Sequence, residues 1–84
     1  MMITLDGMNM RTREAAHDEI AQKMGLPEYY GRNLDALWDV LTEREWTITL
    51  VNARAMLEAL GDYGEALFKT FFDAKTVVFR ILPE

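Results

Sequence analysis

The chain has 84 residues, half of them apolar, with 14 acidic against 9 basic side chains, a formal charge of -5 and no cysteine. That length supports one hydrophobic core and the missing thiols exclude disulfides, thiol nucleophiles and cysteine-held zinc, while the negative balance opposes nucleic acid and favours encounter with a basic protein. No segment approaches the ~20 apolar residues that span a bilayer, and Met1–Asp6 has no basic stretch leading into an apolar run, so a soluble, cytoplasmic, single-domain protein over residues 1–84 is expected, with no membrane partner.

Ile3 and Leu5 alternate with polar neighbours and run into Asp6-Gly7, the pattern of a short strand ending in a turn. Thr12 can cap a helix over about 12–24, in which Ala16, Ile20 and Met24 recur every four residues before Gly25 and Pro27 stop it. Leu26 to Arg32 reads as a loop, and Asn33 as the N-cap of a second helix over about 34–42, with Leu34, Leu37 and Leu41 at helical spacing. The β-branched run Thr47–Val51 predicts a second strand. Asn52 is expected to cap a short third helix carrying Met56, Leu57 and Leu60, which Gly61 ends. Asp62 and Glu65 form a capping-box-like pair at the start of a fourth helix ending near 74, whose Phe68, Phe71 and Phe72 are assigned to the core. Thr76 to Leu82, closed by Pro83, is a dense β-branched and aromatic run, the best strand candidate in the chain, and predicts the third strand. Strands separated by helices imply an α/β fold, a three-stranded parallel sheet packed with about four helices.

The second helix carries the pattern that points to function. At ~100° per residue its leucines gather on one side, Asp35 and Asp39 share a face one turn apart, and Trp38 and Thr42 stand at the border. Tyr29 and Tyr30 precede this anionic turn in the loop, and large aromatics beside carboxylates are what protein interfaces use for wide contact and coupled charge pairs. The same residues admit a structural reading. Asp35 can serve the helix dipole, Asp39 can be a solvated charge, Trp38 can finish the core, and either tyrosine can be a core residue with its hydroxyl at the surface.

Other chemistry finds little support. His17, the single histidine, neighbours Ile20, Ala21 and Met24 and reads as a satisfied, partly buried residue. Without a second histidine or any cysteine a transition-metal site lacks ligands, and no cofactor motif is present. An acid–base role for Asp35 and Asp39 would need a desolvating cleft that so small a chain hardly provides. Glu43 to Glu45 reads as a solvated connector.

The run from Leu26 through Pro27, Glu28, Tyr29, Tyr30, Gly31, Arg32, Asn33, Leu34, Asp35, Ala36, Leu37, Trp38, Asp39, Val40 and Leu41 to Thr42 resembles the hallmark loop and second helix of the barstar family of intracellular ribonuclease inhibitors. The resemblance continues more weakly through His17 and Asp73-Ala74-Lys75. It implies a barstar-like fold and a one-to-one complex, formed by a protein monomeric when free, with a basic, barnase-like secreted ribonuclease. It implies that Asp39 stands in for a substrate phosphate, that Asp35 pairs with another basic group, and that Tyr29 lies against an active-site histidine. Tyr30, Asn33, Trp38 and Thr42 fill the surrounding contact, and Asp73 takes the place of the family's usual glutamate on helix four. The segment Glu43-Arg44-Glu45-Trp46 departs from the glycine and aromatic common in the family, and Arg32 and Arg44 face a basic enzyme unfavourably unless they point elsewhere. Another toxin or a non-ribonuclease partner is the alternative this departure leaves open.

Overall fold

A computed structural model describes residues 2–82. In chain order these form β1 (Met2–Asp6), a single 3-10 turn (Gly7–Asn9), α1 (Arg13–Met24), α2 (Leu34–Glu43), β2 (Trp46–Val51), α3 (Ala53–Leu60), α4 (Asp62–Asp73) and β3 (Val77–Ile81). The strands make one parallel sheet in the order β1-β2-β3, with Ile3 opposite Ile48 and Ile48 opposite Phe79. This is the expected barstar-like α/β architecture. The closing of β3 by Pro83 lies outside the described residues.

One face of the central strand, Trp46, Ile48 and Leu50, is buried under the helices with Leu5, Ile20, Leu37, Leu41, Met56, Leu67 and Phe71. The opposite face carries Thr47, Thr49 and Val51, only partly buried. Every second residue of β2 therefore enters the core, as the two-residue period of a strand requires. β3 is strongly β-branched yet the least buried strand, because it lies at the sheet edge with Val78 and Ile81 open to solvent. No helix among the described residues is long and apolar enough to cross a membrane.

Four local expectations change. Asn52 stands before α3, but it adopts a left-handed backbone with φ 53 and does not cap the helix. Its amide instead donates to the Asp6 carboxylate at 2.9 Å, and this bond, followed by that from the Met8 backbone N–H, holds the Asp6 pKa below its usual value. The exchange is possible because Gly7 has no side chain: a Cβ there would lie 2.1 Å from the Asn52 carbonyl oxygen. Asp62 is already inside α4, and Gly61, at φ 56 and ψ -123, takes the N-cap position in a conformation that L residues rarely adopt, so the capping-box pair does not form. Phe72, assigned to the core, is 58% exposed at the edge of a ring cluster in which Phe71 stacks on Phe79 at 4.9 Å. Trp46, one residue ahead of the expected strand, opens β2 and is buried, its indole N–H donating to the Val40 carbonyl at 3.3 Å.

Candidate functional site

The expected site is built around α2. Asn33 begins the helix as the sequence predicts, its Oδ1 accepting from the Ala36 N–H at 2.7 Å while its Nδ2 donates to the Gly31 carbonyl at 3.2 Å. Both polar atoms of Asn33 are thus engaged in shaping the turn that leads into the helix. Leu37 and Leu41 fix the helix to the core, and Asp35, Asp39 and Thr42 face outward. The Thr42 hydroxyl folds back to donate to the Trp38 and Asp39 carbonyls, at 2.9 and 3.3 Å.

A hollow lies on each flank of this outward ridge. On the α4 side, Leu34, Asp35 and Trp38 face Ala66, Lys69, Thr70 and Asp73 across a shallow groove. On the loop side, Tyr29, Asp39, Glu43 and Arg44 line a second hollow above the buried Trp46. Tyr29 is 88% exposed and Trp38 40%. Two large rings thus stand on either side of two carboxylates, an arrangement that presents charge and contact area together.

The charges of this face are uneven. Asp73 is engaged by Lys69 at 3.0 Å, one turn away on α4. Asp35 and Asp39 have no hydrogen-bonding or ionic partner for their carboxylates among the described residues. Of the two arginines that could oppose a basic partner, Arg32 is drawn onto α1, whereas Arg44 stays in the lining of the loop-side hollow. Arg32 pairs with Asp18 and donates to the Glu14 carbonyl at 3.3 Å on α1, and Arg44 packs its guanidinium 5.0 Å over the Trp46 ring.

Tyr30 differs from the other expected contact residues: its ring is buried at 7% exposure and its hydroxyl meets His17 Nδ1 at 2.8 Å. It has almost no surface to offer, and burial raises its pKa far above that of an exposed tyrosine. His17 is buried more fully than expected, at 2%, and burial, followed by the Arg32 charge, holds its pKa below 6.5. Glu43, expected in a connector, instead ends α2 and lines the hollow with Tyr29 and Asp39. The available signal was its four-residue spacing from Asp39. Among the described residues no three side chains converge as a metal site requires.

The comparisons with known proteins agree with this architecture. The family model described as Barstar (barnase inhibitor) matches residues 1–82. A protein of Bacillus subtilis (strain 168) named "Putative ribonuclease inhibitor YrdF" is 37% identical over 88 aligned positions, which cover 98% of this chain and 97% of that protein. The chain belongs to the barstar family.

Proposed function

We propose that this chain is a single-domain inhibitor of a basic, barnase-like ribonuclease, forms a one-to-one complex with it, and blocks its active site with α2 and the loop before it. The observation that carries the reading is the pair of exposed carboxylates, Asp35 and Asp39, that have no partner among the described residues and lie between Tyr29 and Trp38. Family membership and the name of the Bacillus subtilis relative support the same role.

The mechanism follows from what a ribonuclease pocket contains. Such a pocket holds cationic donors arranged for a phosphate, and the Asp39 carboxylate offers two anionic oxygens on a rigid helix. The pocket is shaped for an anion in advance, so little reorganisation opposes binding. Asp35 pairs with a neighbouring cation, Tyr29 covers the catalytic side from the loop, and Trp38, Thr42 and Asp73 close the contact toward α4. Asn33 and Tyr30 act from behind this face, the first by starting the helix and the second by anchoring the loop. The protein performs no chemistry; it excludes RNA by occupying the place of its backbone.

Titrating a purified guanyl-type ribonuclease with this protein across ionic strength tests the reading. Stoichiometric inhibition at a molar ratio of one, with an association rate that falls as salt rises, is expected. No inhibition at low salt, where steering is strongest, contradicts it. That outcome favours an immunity role against another toxin, a reading supported by the exposed Glu43, Arg44 and Glu45, which give this rim its own charge pattern.

A further inference from the structure

One cation remains in the anionic face. Asp39, Glu43 and Arg44 are the charged residues that line the loop-side hollow, and Arg44 alone among them is basic. The other cations near α2 are engaged, Arg32 by Asp18 and Lys69 by Asp73. Arg44 is exposed at the C-cap of α2, in an extended conformation, between Glu43 and Glu45. Yet its side chain makes no ion pair and no hydrogen bond among the described residues. Its contact is with a ring: the guanidinium lies 5.0 Å over Trp46.

That ring is a fixed support. Trp46 is buried, its indole N–H donates to the Val40 carbonyl at 3.3 Å, and its backbone N–H donates to the Thr76 carbonyl at 3.0 Å. A guanidinium over an aromatic ring keeps its charge, while its five N–H donors stay available in a planar fork that matches a carboxylate. Arg44 is thus held at the rim of the hollow with its donors unused. We infer that Arg44 is a specificity-determining residue: it favours ribonucleases that bring an Asp or Glu side chain to this rim and weakens binding to those that bring a further Lys or Arg. The inference rests on the proposed inhibitory role and narrows the class of enzyme that role requires.

Two opposite charge requirements therefore meet at the end of α2. Asp39 and Glu43 suit cations, and Arg44, next in sequence, suits an anion. A uniformly basic surface satisfies the two carboxylates but is repelled by the guanidinium, and like charges brought together at an interface reduce affinity without any loss of contact area. A basic pocket with a carboxylate on its border satisfies all three groups. The formal charge of -5 attracts any basic protein from a distance. Arg44 acts after encounter, separating enzymes that long-range attraction treats alike. Were it only a cover for the Trp46 ring, its loss would change binding by the same factor whatever charge the enzyme carried at its border.

Double-mutant cycles test the inference. Wild type, Arg44→Lys, Arg44→Met and Arg44→Glu are titrated against a basic guanyl-type ribonuclease and against variants of it in which each Lys or Arg bordering the active-site pocket is replaced singly by Glu. At one border position the replacement is expected to favour wild type and Arg44→Lys by about tenfold relative to Arg44→Met, and to disfavour Arg44→Glu by a similar factor. The contrast is expected to shrink as salt rises. Should Arg44→Glu fail to fold, the comparison of wild type with Arg44→Met decides alone. Coupling within about twofold at every border position overturns the selectivity and leaves Arg44 a cover for Trp46. Absence of binding by wild type and all variants at low salt sinks the inhibitory role itself, whereas binding without coupling sinks the selectivity alone.

Discussion

The carboxylates of α1 and those of α2 are handled in opposite ways. On α1, Glu19 is buried and accepts from the Asp6 backbone N–H at 3.0 Å, from Asn9 Nδ2 at 3.4 Å and from Lys23 Nζ at 3.1 Å, while Asp18 holds Arg32. On α2, Asp35, Asp39 and Glu43 follow one another at four-residue spacing with no cation in the last turn of the helix. The first group joins β1, the 3-10 turn and the loop to the helix, and removing Glu19 leaves the half-buried Asp6 N–H without its acceptor. The second group contributes nothing of that kind. Like charges one turn apart weaken a helix slightly, and an anion at its C-terminal end opposes the dipole. The acidic residues of the two helices therefore divide into those the fold engages and those it leaves exposed.

Substitutions can break this division, and the largest effect is expected at the centre of the ridge. Asp39→Ala should weaken the ribonuclease complex by about 2–5 kcal/mol in calorimetric titration, because a cationic pocket closes without its anion. Glu19→Ala should do the reverse, lowering unfolding free energy by about 1–3 kcal/mol in urea while the folded fraction binds as wild type, since it removes the shared acceptor of the half-buried Asp6 N–H, Asn9 and Lys23. A loss of affinity there comparable to that of Asp39→Ala would erase the distinction. Tyr29→Ala should slow no folding step and alter no stability, yet speed dissociation by about tenfold, the range of an aromatic contact at an interface. The smallest effect sharpens the contrast most. Asp39→Ala should raise the stability of the free protein by about 0.2–0.5 kcal/mol, as relief of repulsion along α2 predicts.

How much of this was legible in sequence depended on the range of the interactions involved. The second helix was readable nearly to its ends, because Asn33, the leucine spacing and the acidic face are all local signals, and the observed cap and burial agree with them. α1 was readable from Thr12 and Gly25, although its buried face includes His17 and Glu19, whose polar character blurs the amphipathic pattern. Tyr29 and Tyr30 could not be told apart. They are adjacent and chemically identical, and what separates them is His17, 13 residues before Tyr30. The bond from His17 to Tyr63 spans 46 residues, and so does that from Asn52 to Asp6, which draws Asn52 away from its expected cap. Phe72 failed for a related reason: helical spacing gives the face a residue occupies, but only the finished sheet shows that this face overhangs an edge strand.

In the proposed complex the Asp39 carboxylate takes the place of an RNA phosphate. Competition by inorganic phosphate at constant ionic strength tests it most directly, with the affinities of wild type and Asp39→Ala for the ribonuclease measured in parallel. The account predicts that phosphate weakens the wild-type complex and leaves the residual affinity of Asp39→Ala unchanged, because only the wild type and the ion contend for one pocket. Equal sensitivity of the two proteins to phosphate would contradict it.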